Sequence, residues 1–274
     1  MTKNLNKDTT ICMSLAARPS NFGTRFHNYL YDAMDLDYLY KAFTTRDLKA
    51  SIGGVRALGI RGCAISMPFK EECIPMLDEL DSSAKAINSV NTIVNNDGYL
   101  KAFNTDYIAI ATLLKQFQIP TKFTFVLRGS GGMAKAVACA LKDAGFSKGV
   151  IVAKNEKTGP ELAKLYGFEW HKEMGDLNAE LLINATPIGM ENGDDADKLS
   201  FTQLQIEQAQ VIFEVVALPA ETPLVTYARN KNKTVITGAE VFAIQAVEQF
   251  VLYTGVRPDN ELFQKAAHHA RAGA

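Results

Sequence analysis

The stretch Phe123-Thr124-Phe125-Val126-Leu127-Arg128-Gly129-Ser130-Gly131-Gly132-Met133-Ala134 decides the fold. Residues 122–127 read as a short strand. Three glycines then break the chain, and residues 134–144 follow as an alanine-rich helical pattern stopped by Gly145. A strand, a glycine turn and a helix in that order gather free main-chain amides and the positive end of a helix dipole at one point, which suits a phosphate. The turn is a compressed form of the dinucleotide fingerprint, with Ala134 at its third glycine position. Glycine lets the backbone approach a pyrophosphate, and Ala134, Ala136 and Ala138 let helix and strand pack closely. The same residues also suit a plain turn in a βα unit; the strand before and the helix after favour the nucleotide reading. Gly129, Ser130, Gly131, Gly132, Met133 and Ala134 are therefore candidate cofactor-binding residues.

The rhythm continues downstream. Residues 149–153 read as a strand and 160–166 as a helix closed by Gly167, while 181–184, 211–216 and 234–237 read as buried strands. Such alternation predicts a parallel, doubly wound sheet of the Rossmann type. Upstream, residues 63–67 form a short apolar run, and 89–94 and 98–103 flank Asn95-Asn96-Asp97-Gly98, a hairpin signal. A helix is expected over 106–117. Residues 240–254 carry Val241, Phe242, Ile244, Val247, Phe250 and Val251 near helical spacing and are expected to pack back on the N-terminal domain. Polar residues 191–200 read as a surface loop. A chain of 274 residues suggests two domains. The expectation is an α/β protein: an N-terminal α/β substrate domain over 1–105, completed by 239–274, and a nucleotide-binding domain over 106–238, with a cleft between them.

Apolar residues make up 47% and charged residues 22%, an ordinary globular balance. With 29 basic and 30 acidic residues the net charge is −1, which argues against a general nucleic-acid binder. Apolar runs such as residues 211–219 are too short to span a membrane, and 11–17 is too short and polar for a secretory signal. Cys12, Cys63, Cys73 and Cys139 are scattered, as expected of buried thiols in a reducing cytoplasm. The four histidines form no ligand cluster, so no metal is expected.

Two further sets of residues carry chemistry. The strand at 150–153 leads into Ala153-Lys154-Asn155, where an NAD-binding unit would place a carboxylate for the ribose. A cation there suits a 2′-phosphate, so NADP is expected, with Lys154 as main contact and Asn155 as auxiliary; a solvated loop lysine is the plainer alternative. Ser66-Met67-Pro68-Phe69-Lys70 ends a strand-like run, and Asn91-Thr92 and Asn104-Thr105-Asp106 follow short β segments. A lysine and an aspartate brought together make a proton-relay pair. On pattern alone each also suits a surface ion or a cap, and Asp106 sits where an N-cap would sit.

These elements, in this order, resemble the shikimate dehydrogenase family over nearly the whole chain. Its S/T-x-P-x-K element is similar to Ser66–Lys70, A-x-N-T to Ser89-Val90-Asn91-Thr92, and N-T-D to Asn104-Thr105-Asp106. Its N-R-T clamp falls on Ala153-Lys154-Asn155. N-x-T-x-x-G-M is intact from Asn184 to Met190, and P-x-x-T-P-L from Pro219 to Leu224. The G-x-x-M-L-x-x-Q-A helix resembles residues 238–246, with Gln245 in register. The resemblance implies NADP-linked hydride transfer between 3-dehydroshikimate and shikimate in a monomer or homodimer acting on a small molecule, without metal, nucleic acid or membrane. It implies Lys70 and Asp106 as the catalytic pair. Asn91, Asn104 and Gln245 would bind ring hydroxyls, with Ser66 beside the lysine. Thr186, Met190 and Gly238 would lie along the cofactor.

The chain departs from the family where the substrate carboxylate is held. The element S-x-S-P-x-x-H-N reads here Asn21-Phe22-Gly23-Thr24-Arg25-Phe26-His27-Asn28. His27 and Asn28 remain; both serines and the proline are gone. Thr24 or Ser20 are candidate hydroxyls, Asn21 stands at a lost serine, and Arg25 or Arg18 are candidate partners for a carboxylate. The D-x-x-Y-x-P element has Glu214 for its Asp and Ala217 for its Tyr, and Val241-Phe242 replace Met-Leu. The departures point to a divergent subclass and keep two alternatives open: a dehydrogenase for quinate or an amino-substituted analogue, or a weakly catalytic ligand-binding sensor.

Overall fold

Short strands separated by glycine and polar turns alternate with helices along nearly the whole chain. The computed structural model describes residues 5–272, which form two units: residues 5–105 with 243–272, and Asp106–Phe242.

The first unit is built on β1 (Thr10–Leu15), α1 (Phe22–Ala33), β2 (Tyr38–Phe43), α2 (Leu48–Ala57), β3 (Gly62–Ile65), α3 (Phe69–Glu72), β4 (Glu79–Leu80), α4 (Ser82–Ile87), β5 (Thr92–Asn96) and β6 (Tyr99–Phe103). Its six strands lie in the order β2-β1-β3-β5-β6-β4. The first three are mutually parallel, and β5 runs antiparallel to both β3 and β6. The β5–β6 turn is the predicted hairpin. Asp97 and Gly98 have φ of +53° and +89°, and Gly98 N–H donates to the Asn95 carboxamide at 2.7 Å. Two positive φ values at Asp-Gly are what a two-residue hairpin loop requires. Helix α2 is capped by Asp47, whose side chain accepts from Ala50 N, and it turns Leu48, Ile52 and Val55 into a core shared with Leu15, Ile65, Ile93 and Leu100.

The second unit begins with α5 (Thr105–Gln116) and continues through β7 (Phe125–Arg128), α6 (Gly132–Asp143), β8 (Gly149–Val152), α7 (Thr158–Tyr166), β9 (Glu169–His171), β10 (Leu181–Asn184), α8 (Gln203–Gln208), β11 (Val211–Glu214), α9 (Pro223–Asn230) and β12 (Thr234–Ile236). Its strands are parallel in the order β12-β11-β10-β7-β8-β9. The chain winds outward from β7 to β9, then restarts beside β7 with β10. The order therefore reverses at β7, and that switch point is where a doubly wound sheet opens a crevice for ligands. The central strands are apolar on both faces because helices cover both.

Two helices close the chain, α10 (Gly238–Thr254) and α11 (Asn260–Arg271). The division of the units falls inside α10 because Gly238 belongs with the second: a side chain there would overlap the main chain of Val215 and Val216. Farther along, α10 packs on β3, where a side chain at Gly62 would overlap the ring of Tyr253. The expected single apolar stripe is too narrow a description. Ala243, Gln245, Ala246, Val247, Gln249, Phe250 and Tyr253 are all buried, so the helix carries two glutamines into the interior. Helix α11 is capped by Asp259, and its Phe263 meets Phe26 of α1 edge-on.

Candidate functional site

The polar residues predicted to hold a ring substrate converge inside the first unit. Val90 N–H donates to the main-chain oxygen of Lys70 at 2.8 Å, which sets α3 beside the start of β5. Asn104 donates through Nδ2 to Ser89 O at 2.9 Å, and its own N–H is held by the Ser83 hydroxyl at 3.0 Å. Asn91 Oδ1 accepts from Thr105 N and from the Thr92 hydroxyl, each at 2.8 Å, while Asn91 Nδ2 donates to Thr105 Oγ1 at 3.0 Å. The Thr105 hydroxyl also reaches Gln245 Oε1 at 3.4 Å. Asn91 and Gln245, far apart in sequence, thus meet at Thr105, and the buried Asn104 is the residue before it. Asp106 directly follows Thr105. It is the second residue of α5 rather than its N-cap, because the helix begins one residue earlier, at Thr105.

In the N-terminal element the Arg25 guanidinium donates twice to His269 O of α11, at 3.1 and 2.9 Å. The surviving His27–Asn28 pair is framework. Asn28 ties α1 to β2 by donating to Thr24 O and Tyr40 O and accepting from Tyr40 N, at 2.8, 2.8 and 2.9 Å. His27 is fully buried, stacked on Tyr40 with ring centroids 4.4 Å apart and surrounded by Phe26, Tyr31, Phe250 and Tyr253. Burial in this aromatic box lowers its imidazole to about 3. Asn21 and Ser66 are exposed, and Thr24 and Lys70 are half-buried. Arg18, three residues before the element, is also exposed.

In the second unit the glycine turn joins β7 to α6, as its sequence predicted, and so stands at the switch point. Gly129 has φ of +124°, donates to Val152 O at 2.8 Å, and would bring a Cβ within 2.7 Å of Ala185 O. Gly131 precedes α6, no side chain caps that helix, and a Cβ at Gly131 would meet no atom within 4 Å. Uncapped amides beside open space fit a pyrophosphate. The Ser130 hydroxyl lies 2.7 Å from that of Thr158, at the start of α7. Lys154 is exposed beyond β8. Asn155, expected as an auxiliary ligand, turns its Oδ1 inward to accept from Lys157 N and Thr158 N at 2.9 and 3.0 Å. Only its Nδ2 is left to meet an anion. Gly129→Ala is expected to destabilise the protein by about 1–3 kcal/mol, because this φ is disfavoured for alanine and a main-chain oxygen blocks the Cβ. A denaturant titration with an unchanged midpoint would show that the turn tolerates a side chain.

A second turn, residues 184–190, is held from beneath by a buried carboxylate. Asn184 Oδ1 accepts from Thr186 N and Oγ1 at 3.1 and 2.6 Å, and its Nδ2 donates to Ile188 O and Glu214 Oε1 at 3.0 and 2.9 Å. Glu214 also accepts from Val216 N at 2.9 Å and the Thr222 hydroxyl at 3.1 Å. Burial pushes its carboxyl up to about 7 against these donors. The Thr186 hydroxyl proton is committed within the turn, so toward a ligand Thr186 presents an acceptor. Met190 is exposed at the turn's end.

All four cysteines are free and buried. Among the described residues there is no group of three His, Cys, Asp or Glu able to hold a metal ion, and no helix long and apolar enough to cross a membrane.

Residues 22–93 match the shikimate dehydrogenase substrate-binding domain family. Over 267 residues the chain is 54% identical to a shikimate dehydrogenase-like protein of Haemophilus influenzae, covering 97% of this chain and 98% of that one. The chain belongs to the shikimate dehydrogenase family. The NADP-dependent shikimate dehydrogenase of Pyrococcus furiosus is 33% identical over 88% of each chain. A shikimate 5-dehydrogenase from Thermus thermophilus, solved with NADP(H) and shikimate, superposes with a TM-score of 0.85 at 28% identity, over 95% of this chain and 99% of that one. The substrate-binding match falls within the first unit, and the second unit has the Rossmann-like sheet with the glycine turn.

The residues that sequence reasoning missed are the internal partners of this site: Ser83, Thr92, Thr105 and Gln249 in the first unit, and Asn184 with Thr222 in the second. Thr92, Thr105, Asn184 and Thr222 lie within the quoted motifs and were visible there. Ser83 and Gln249 carried no signal.

Proposed function

We propose that the protein interconverts 3-dehydroshikimate and shikimate with NADP(H). The observation that carries this reading is the meeting of Asn91 and Gln245 at Thr105, next to Asn104 and with Val90 on the main chain of Lys70, in a chain 33% identical to an NADP-dependent shikimate dehydrogenase.

When bound, the nicotinamide supplies a hydride to the ring carbonyl carbon or takes one from the ring alcohol. Lys70 gives a proton to that oxygen as it gains charge, and recovers it in the reverse direction. Asp106 holds the ammonium and the neighbouring hydroxyl through charge-assisted hydrogen bonds. Asn91, Asn104 and Gln245 bind ring hydroxyls; Asn91 does so as a donor, since its Oδ1 is already taken. Ser66 stands beside the lysine, and Thr24 and Asn21 serve the carboxylate end. Residues 129–134 hold the pyrophosphate, and Thr186, Met190 and Gly238 line the nicotinamide side. Lys154, with Asn155 Nδ2, pairs with the 2′-phosphate.

Lys154→Ala is expected to weaken NADPH binding about 10–100-fold, the worth of one charged hydrogen bond, and to leave NADH binding unchanged. Fluorescence titrations with both cofactors check this; equal changes for the two would take Lys154 off the 2′-phosphate. The activity itself is read from nicotinamide absorbance with shikimate and 3-dehydroshikimate. The lost serines, and Arg25 being held by His269, favour one second reading: a dehydrogenase for quinate or an amino-substituted analogue. A substantially higher kcat/KM on such a substrate would establish it. Binding of shikimate and NADP without any absorbance change would point to a sensor.

A further inference from the structure

We infer that Gln249 is a positioning residue for the substrate-binding amides, setting which atom of Asn91 meets the ligand. The inference rests on the functional reading above. Gln249 is buried on α10, one turn beyond Gln245, and its Nε2 donates to Asn91 O at 3.2 Å and to Thr92 Oγ1 at 3.0 Å. A hydroxyl has a single proton. Because Thr92 Oγ1 accepts from Gln249, it directs that proton to Asn91 Oδ1 at 2.8 Å. Thr105 N–H, which can only donate, takes the same Oδ1 at 2.8 Å. The two donors fix the amide with its oxygen inward and Nδ2 outward. One Nδ2 proton goes to Thr105 Oγ1 at 3.0 Å, and the other remains for a ligand oxygen. The bonds run from Gln249 through Thr92 and Asn91 to Thr105, whose hydroxyl stands between two acceptors, Asn91 Oδ1 at 3.2 Å and Gln245 Oε1 at 3.4 Å. Helix α10 thus holds both ends of the chain and locks Asn91 and Gln245 into one frame.

The consequence is a preference for an acceptor at this position of the ring. With a donor-only face, Asn91 accommodates a hydroxyl or carbonyl oxygen and disfavours an ammonium group, whose protons would meet Nδ2. An amino-substituted ring is therefore disfavoured at the position that Asn91 contacts.

The test uses the full-length protein and steady-state kinetics with NADP and shikimate or quinate, whichever the wild type turns over. Gln249→Leu, which removes both donors at similar volume, is expected to raise the ring-substrate KM about 10-fold with a smaller change in kcat. NADPH affinity, read by fluorescence, stays at the wild-type value. Thr92→Val is expected to give the same KM shift and Thr92→Ser, which keeps the hydroxyl, almost none. The double variant Gln249→Leu with Thr92→Val should be no worse than either alone, because both break one chain. A general packing defect would instead give additive losses and no rescue by serine. Should Gln249→Leu fail to fold, the Thr92→Val and Thr92→Ser pair decides alone. An unchanged KM in Thr92→Val, or additive shifts, overturns the inference while the functional reading stands. Wild-type protein that neither binds nor turns over any of these rings removes both.

Discussion

Lys70→Ala is expected to lower turnover of the ring substrate by about 10²–10⁴-fold, the range for losing a positioned general acid, and to leave NADPH affinity unchanged. That corresponds to about 2.7–5.4 kcal/mol of transition-state stabilisation. One structural contact of this residue survives the substitution, because Val90 N–H holds its main-chain carbonyl at 2.8 Å whatever the side chain. Alanine is also a good helix former, so α3 loses nothing in propensity. The effect should fall mainly on kcat, since the proton moves only as the oxygen gains charge. Lys70→Arg keeps the positive charge but has a guanidinium that does not release its proton, so it should also be slow. Single-turnover absorbance measurements separate this step from product release. A Lys70→Ala protein with wild-type kcat would remove Lys70 from the mechanism.

Acid pH should weaken the protein through His27, and His27→Phe should remove that weakness. The imidazole is lowered by burial from 6.5 to about 3. Below pH 6.5 the unfolded chain binds a proton on this residue, whereas the native chain binds none until about pH 3. Stability therefore falls as pH falls through this window, by about 1.4 kcal/mol per pH unit from this group. Glu214, raised from 4.5 to about 7, acts in the opposite sense: its contribution is full below pH 4.5 and is lost as pH rises through about 7. Comparing wild type with His27→Phe at each pH cancels Glu214 and every other group the two share. Phenylalanine fits the stack on Tyr40 only with some crowding, which shifts the offset between the two proteins but not its slope. Urea titrations at about pH 6, 5 and 4 should show the difference between the proteins changing by about 1.4 kcal/mol at each step. Parallel stability profiles would mean that His27 takes up its proton in the folded state.

The elements that were read from the sequence are those whose cause is local. Asp97-Gly98 forms the hairpin because both residues take positive φ within the turn itself. Gly129 opens the nucleotide turn because its φ of +124° suits no residue with a side chain. The βα units of the second sheet followed from runs of four to a dozen residues. The first sheet was less legible. Residues 11–15 were visible only as an apolar run, yet they form β1, and β2 with its alternating burial went unread. Short apolar runs do not by themselves separate strand from helix. The Arg25 contact was not legible for another reason: its partner, His269, lies 244 positions away.

By itself the sequence determined the two-part α/β plan and the glycine turn, and it supplied the polar residues proposed to carry the chemistry, because each depends on backbone preferences or residue type over a few neighbours. The tertiary structure alone decided which of those polar atoms are free to meet a ligand. Asn91 was a candidate from its motif, but its orientation is set by Thr105 and by Gln249, whose bond to Thr92 spans 157 positions. A buried donor must find an acceptor wherever folding brings one, and the sequence does not say which distant side chain that will be.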